Sequence, residues 1–220
     1  MKLKHMQEQI KDIIKKQNKI KNGGDVDYTA PTKGNVYQLK VLLKRSRPPV
    51  WRRVLVNDDL TLHQLHTIIQ AVMGWTDTHL YGFQMGDVFF EVEDEESFGK
   101  PVYFEIHDSR EVLLGNVLTI EGQKFNYTYD FGDNWEHSIV LEKIDGEKTI
   151  DRPKCLKGKR ACPPEDCGGI HRYQYLLERL NEPGADDEEV QSFREFCENH
   201  DPEYFDLDET NDILRELELD

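Results

Sequence analysis

The chain has no long hydrophobic run. None of its apolar stretches approaches the roughly 20 residues that a membrane-spanning helix needs, and the mean hydropathy is −0.72. The first residues have neither an apolar centre nor a small-residue cleavage site, so they do not predict a secretory signal. We therefore expect a cytoplasmic protein that does not associate with membranes.

The best-marked catalytic motifs are also missing. The sequence has no Gly-x-Ser-x-Gly elbow, no phosphate-binding loop and no dinucleotide fingerprint. It has only four cysteines in 220 residues, and in a cytosolic chain such residues are more often metal ligands or inert thiols than disulfides. The net charge of −15 argues against non-specific binding to nucleic-acid phosphates. A local basic surface is still expected, because basic residues cluster at 1–22 and 152–160.

The first 22 residues are rich in lysine, and their apolar side chains recur at alternating spacings of three and four. This pattern is typical of an amphipathic helix, which either packs on its own domain or forms a short coiled coil. Both alternatives stay open, the second being a homodimer through residues 1–22. Two glycines follow, so residues 1–34 are predicted as a basic helix and linker, and residues 35–220 as one domain.

Within the domain, hydrophobic alternation predicts strands early and helical periodicity predicts helices late. The early strands are expected at 36–44, 50–56, 80–85, 88–92 and 102–106. One early helix is expected at 61–73, because Thr61 and Gln64 have capping-box spacing and Gly74 follows as a stop. Segment 112–120 is ambiguous. Later helices are expected at about 173–180, 187–199 and 208–217. This order indicates an α+β fold, a mostly antiparallel sheet of hairpins with one early helix and a C-terminal helical segment.

A hairpin with its corner near Gly132 is predicted between residues 127 and 141. Four polar residues near this corner are able to form a hard-metal or general acid–base site; they are Asp130, Asp133, Glu136 and His137. The alternative is structural: the aspartates cap the turn through backbone amides while Trp135 anchors it.

Three cysteines, Cys155, Cys162 and Cys167, follow in a segment punctuated by proline and glycine, which predicts a rigid loop outside regular secondary structure. Thiolates in loops suit tetrahedral zinc, with His171 or His137 as the fourth ligand. The alternative is that the thiols pack the loop as small buried side chains. In either case, we expect this loop to fold against the hairpin corner.

Three histidines lie on or just after the early helix. His63 and His66 are three residues apart, so they share roughly one helix face, and His79 follows the helix. We expect buried, hydrogen-bonded imidazoles, with a metal or acid–base role as the alternative.

Several separate motifs together resemble one known family. They are Leu65-His66, Ile69-Gln70, Met73-Gly74-Trp75, His79-Leu80, Tyr127, Tyr129-Asp130-Phe131-Gly132-Asp133, Trp135-Glu136-His137, Cys162-Pro163-Pro164-Glu165-Asp166-Cys167-Gly168-Gly169, Tyr173, Leu176-Leu177, Asp201-Pro202-Glu203 and Phe205-Asp206. Over about residues 35–219 the chain resembles the plasmid pRiA4b ORF-3-like family, also labelled insertion-element passenger proteins. The resemblance implies an α+β domain without an established activity and an accessory role in mobile DNA. It also implies that His137, rather than His171, joins the three cysteines as a zinc ligand.

Two functional hypotheses follow. The first is a cytosolic binding or adaptor domain, zinc-stabilised, whose partner is a protein or a nucleic acid. Its contact residues would be Asp130, Asp133, Trp135, Glu136, Lys157 and Arg160. The second is a metal-dependent hydrolase or nuclease that uses Asp130, Asp133, Glu136 and His137 to activate water.

Overall fold

The structure is a computed structural model that describes residues 26–92, 105–146, 148–198 and 200–219. These ranges contain eight strands and five helices. The strands are β1 (Val36–Leu43), β2 (Trp51–Asn57), β3 (Tyr81–Met85), β4 (Val88–Glu91), β5 (Glu105–Asp108), β6 (Lys124–Tyr129), β7 (Trp135–Asp145) and β8 (Lys154–Lys159). The helices are α1 (Leu62–Met73), α2 (Leu114–Val117), α3 (Gly169–Leu180), α4 (Glu188–Phe196) and α5 (Leu207–Glu216).

All eight strands form one sheet in the order β5-β4-β3-β6-β7-β1-β2-β8. Every neighbouring pair is antiparallel except β4 and β5, which run parallel. Strands β6 and β7 pair in register from Lys124 opposite Val140 to Tyr129 opposite Trp135. The predicted α+β class with a mostly antiparallel sheet is therefore confirmed.

Helix α1 lies on one face of the sheet. It begins with a capping box between Thr61 and Gln64 and ends at Gly74, whose φ of 82° is left-handed, as the sequence predicts. Its apolar stripe and the inward side chains of the sheet form one buried cluster. Two polar side chains of α1 also reach the sheet, since His66 and Gln70 both hydrogen-bond the hydroxyl of Tyr127.

The last of the C-terminal helices, α5, is attached to the edge strand β8. Helix α5 is capped by Asp206, whose side chain accepts from two backbone amides of its first turn. Asn211 of α5 exchanges two hydrogen bonds with the backbone of Cys155 in β8, at 2.9 and 3.0 Å. In the part of the chain that is described, no helix is long and apolar enough to cross a membrane.

The described part of the predicted linker packs on the domain. Tyr28 is buried, and its carbonyl accepts from the backbone of Leu113. The carbonyls of Tyr28 and Ala30 both accept from the side chain of Asn116. The predicted helix and coiled coil at residues 1–22 lie outside the described residues.

One prediction about secondary structure is wrong. The segment that begins at Cys155 was expected to lie outside regular structure, but residues 154–159 form the edge strand β8 against β2. The backbone N–H and C=O groups on the outer edge of β2 need hydrogen-bond partners, and β8 provides them. The sequence of residues 154–159 does not show this, because the pairing depends on β2 and not on an alternating pattern within β8. The ambiguous segment 112–120 contains the short helix α2, and the strand expected at 102–106 is seen at Glu105–Asp108.

Candidate functional site

A five-residue turn at 130–134 joins β6 to β7. Asp130 and Asn134 both have left-handed backbones, with φ of 54° and 56°. The Asp130 carboxylate accepts from the amides of Gly132 at 2.8 Å and Asp133 at 3.3 Å. The structural role that was one alternative for Asp130 is therefore present, and it fixes the shape of the turn.

The cysteine-bearing loop at 162–169 lies directly on this turn. The Asp133 carboxylate accepts from the amide of Gly168 at 2.9 Å. Gly169 has a φ of +80°, and a Cβ there would lie only 2.4 Å from the carbonyl oxygen of Asp133. Only glycine permits both this conformation and this approach. The expected packing of the loop against the hairpin corner is confirmed, and we call residues 130–134 and 162–169 the turn–loop surface.

Two aromatic residues hold the other side of the loop. The Trp75 indole donates to the carbonyl of Pro163 at 2.9 Å. The Tyr129 hydroxyl donates to the carboxylate of Glu165, which also accepts from the amide of Thr76 at 3.0 Å. Burial opposes ionisation of Glu165, but the hydrogen bonds from Thr76 and Tyr129 keep its pKa below the usual range. The ionised Glu165 carboxylate thus fixes the loop through its hydrogen bonds to Thr76 and Tyr129.

Three metal-ligating side chains meet at the edge of this surface. The imidazole Nε2 of His79 lies 2.9 Å from Asp166 Oδ1 and 3.8 Å from Asp130 Oδ2. Among the residues that the structure describes, this is the only group of three histidine, cysteine or acidic side chains with ligand atoms within 4.8 Å of one another. One nitrogen and two carboxylate oxygens are a donor set that divalent zinc or manganese accepts.

His137 occupies a different environment. It points into the core from β7, fully buried, with the rings of Trp75 and Tyr127 each 5.3 Å away between centroids. Neither ring nitrogen makes a hydrogen bond of standard geometry to the described residues, although the backbones of Trp135 and Tyr127 partly favour the charged imidazole. Burial lowers the pKa of His137 to about 3, so the imidazole is neutral at physiological pH.

The predicted zinc ligands are buried and do not form a set of converging donors in the described chain. Cys155 lies in β8, and Cys162 and Cys167 are buried in the loop. Within the described ranges, no three donors among these thiols and His137 come within 4.8 Å of one another. Burial raises the pKa of Cys167 to about 12 and raises that of Cys162 as well, so both are neutral thiols here. The zinc site stays a prediction.

The predicted contact residues also separate. Asp130 and Asp133 belong to the turn–loop surface, whereas Trp135 is fully buried. Glu136 pairs with Lys44 and Arg45. Arg160 pairs with Glu203 at 2.7 Å, and Lys157 is exposed on the edge strand β8.

Comparison with known proteins places this architecture. The sequence model described as plasmid pRiA4b ORF-3-like protein matches residues 35–209. The chain belongs to the plasmid pRiA4b ORF-3-like family. It is 43% identical over 150 residues to the uncharacterized protein y4hQ of Sinorhizobium fredii, a match that spans 68% of this chain and 75% of the relative. A crystal structure of a protein of unknown function from Methanosarcina mazei superimposes with a TM-score of 0.69 at 36% identity, over 80% of this chain and 98% of that one.

Sequence reasoning missed two members of the site in this pRiA4b ORF-3-like domain. Glu165 and Asp166 enter the sequence analysis only within the cysteine-containing family motif, and no partner is predicted for His79. The signal was present in the sequence, because an acidic pair stands between two cysteines in a proline- and glycine-rich segment. The partner histidine is 87 positions away from Asp166, so spacing alone does not pair them. His66, by contrast, is the buried, hydrogen-bonded imidazole that was expected, between Tyr127 and Asp77 at 2.7 Å each.

His137 predicts a specific pH dependence of stability. Its pKa is depressed to about 3 in the folded state, against roughly 6.5 in the unfolded chain. The unfolded state therefore binds more protons between these values. The stability contributed by His137 is complete above about pH 6.5 and falls as the pH drops toward 3.

Urea unfolding of wild type and His137→Leu from pH 7.5 to 4.5 tests this dependence. We expect a smaller loss of stability on acidification in the variant, because leucine has no group that gains a proton on unfolding. Parallel pH profiles for the two proteins would contradict the assignment.

Proposed function

We propose that this chain is a non-catalytic binding or adaptor domain that contacts a protein partner through the turn–loop surface. The main support is the backbone conformation around that surface. Of the six non-glycine residues with positive φ in the described chain, Asp130, Asn134 and Asp166 belong to this surface, and Asp77 lies between Thr76 and Thr78, which hydrogen-bond Glu165. Such conformations persist only where surrounding structure enforces them, and they concentrate at functional sites.

The chemistry of the surface favours a basic protein segment as partner. Asp166 projects from the loop with a side chain 68% exposed, next to His79. Two large apolar side chains nearby, Leu80 and Phe131, are 52% and 48% exposed. Apolar anchors beside carboxylates suit a partner that carries both apolar and cationic side chains.

Nucleic acid is the less favoured partner. The carboxylates of the turn–loop surface repel phosphate, and the predicted basic contact Arg160 is already paired with Glu203. Lys154, Lys157 and Lys159 are exposed on β8, which leaves a small basic strip away from the turn. The family takes its name from a plasmid reading frame, so an accessory role in mobile DNA is kept as part of the proposal, through protein contacts.

Site-specific photocrosslinking in cells tests the surface. p-Benzoylphenylalanine in place of Phe131 is compared with the same residue in place of Tyr175 on α3, since both positions are 48% exposed. We expect a discrete protein adduct from position 131 only, with a yield reduced several-fold by Asp166→Asn, which removes one charge from the contact.

Equal adduct yields at the two positions would contradict the proposed surface. An adduct that nuclease digestion removes would replace the protein partner with a nucleic acid.

The second candidate is a metal-dependent hydrolase or nuclease, and the group of His79, Asp130 and Asp166 supports it. The originally predicted set does not converge, because Glu136 pairs with Arg45 and His137 is enclosed in the core. Three protein ligands would leave coordination positions for water, whose pKa a divalent ion lowers.

A structural zinc ion at Cys155, Cys162, Cys167 and His137 is a separate proposal. Element analysis of the purified wild type and of Cys162→Ser tests it.

Calorimetric titration with Mn²⁺ and Zn²⁺, followed by assays on DNA, RNA and phosphoesters, tests the hydrolase. If this candidate is right, Asp166→Asn weakens metal binding at least about tenfold and removes hydrolysis. Glu136→Gln, the matched control, changes neither. Wild type that binds no divalent ion, or hydrolysis retained in Asp166→Asn, would exclude it.

A further inference from the structure

Arg52 is a buried cation that pairs with no carboxylate among the described residues. It lies on the inner face of β2 and is 3% exposed. Its Nε donates to the carbonyl of Val72 at 2.7 Å, and its Nη1 donates to Trp51 and Lys159 carbonyls at 3.0 and 3.2 Å. The Phe205 ring lies 4.4 Å from the guanidinium carbon. The other groups that act on its pKa are the thiols of Cys162 and Cys155.

These contacts leave part of the guanidinium unused. Burying a cation without a counter-charge is costly, and carbonyls at the C-terminal end of α1 offset only part of that cost. The Nη2 nitrogen donates to none of the described residues. It is not one of the fully enclosed polar atoms without a partner, so Nη2 keeps a small accessible area.

Arg52 lines a cavity of about 260 Å³ between α1, the loop and α5. Apolar side chains, among them Val72, Met73 and Ile213, line its wall. Two carboxylates from the start of α5, Asp206 and Glu209, also line it and are exposed to solvent. Asp206 Oδ1 caps the helix and Glu209 Oε2 accepts from the hydroxyl of Tyr204 at 2.8 Å, so each carboxylate would meet a ligand through its second oxygen. The cavity thus combines one buried positive group with two exposed negative groups.

We propose that this cavity binds a small zwitterion of the amino-acid class, with its carboxylate on Arg52 and its ammonium facing Glu209 and Asp206. A simple anion would gain Arg52 but meet the two carboxylates, and a simple cation would meet the guanidinium. A ligand with both charges is complementary to the whole lining. The volume lies below the roughly 300–1,000 Å³ of drug-sized pockets, which restricts the ligand to a small molecule.

The zwitterion site is separate from the proposed partner surface. It shares only Cys162 with the loop, and its charged residues come from β2 and α5. By donating to backbone carbonyls, Arg52 holds α1 to the sheet. This structural role does not account for the remaining Nη2 group or for the two carboxylates at the rim of the cavity.

Titration of the full chain with a matched set of small molecules tests the proposal. The probes are glycine, alanine, valine and leucine, then N-acetylalanine, which lacks the ammonium, and alaninamide, which lacks the carboxylate. We expect one-site saturation by at least one free amino acid. Both blocked analogues should bind at least about tenfold more weakly, because each leaves one charged group of the cavity without its partner.

Two variants of α5 make the test specific. Glu209→Gln should weaken binding of the free amino acid about tenfold, while Glu216→Gln, the same change on the same helix outside the cavity, should leave it unaltered. Arg52→Gln should abolish binding, and circular dichroism checks that this variant is folded. The Glu209 result stands even where the Arg52 variant does not fold.

Three results would overturn the proposal. The first is no saturable binding of any free amino acid at concentrations on the order of 10 mM. The second is N-acetylalanine binding as tightly as alanine, which would indicate a simple anion site. The third is equal affinity in Glu209→Gln and Glu216→Gln.

Discussion

The contact between Asp133 and the glycine pair after Cys167 organises the site. The Asp133 side chain receives the amide of Gly168, and its carbonyl oxygen lies against the Cα of Gly169. This contact sets the position of the whole loop at 162–169. Once the loop is seated, Asp166 reaches His79 and Glu165 reaches Tyr129. The positions of the polar groups on the turn–loop surface therefore depend on the close approach of the Asp133 and Gly169 backbones, which a side chain at position 169 would prevent.

An aromatic layer beneath the loop supports this arrangement. Trp75 follows the left-handed Gly74 that ends α1, and its ring lies 5.1 Å from that of Tyr129 and 5.8 Å from that of Trp135. Because these rings come from the segment after α1, from β6 and from β7, the loop is fixed to three parts of the fold at once. Rigid polar groups on such a base need little reorganisation on binding, which is the property that a recognition surface requires.

Local features of this fold were predictable from the sequence, and long-range ones were not. The capping box at Thr61, the glycine stop at Gly74 and the hairpin around Gly132 all depend on residues a few positions apart, and each was predicted correctly. The strand at Cys155 was missed because it forms only when β2 offers an edge. The His79–Asp166 pairing was missed because it joins segments that are distant in sequence.

Arg52 illustrates the same limit in another form. Its position on one face with Val54 and Val56 was visible in the alternation of β2, and a charged residue on an apolar face is an anomaly that spacing reveals. What surrounds it was not visible, since Val72, Phe205 and Glu209 come from α1, the segment before α5 and α5 itself. Sequence analysis thus locates such a residue but does not identify the cavity that it faces.

The most direct test of the account compares Gly169→Ala with Gly122→Ala by urea unfolding. Both glycines have left-handed backbones, with φ of +80° and +87°, but only at Gly169 would the new Cβ meet another atom, whereas Gly122 has nothing within 4 Å. Conformational strain alone costs about 1 kcal/mol at each position. We predict a further loss of about 1–3 kcal/mol in Gly169→Ala and faster amide exchange at Gly168. Equal losses in the two variants, with unchanged exchange at Gly168, would contradict the central role of this contact.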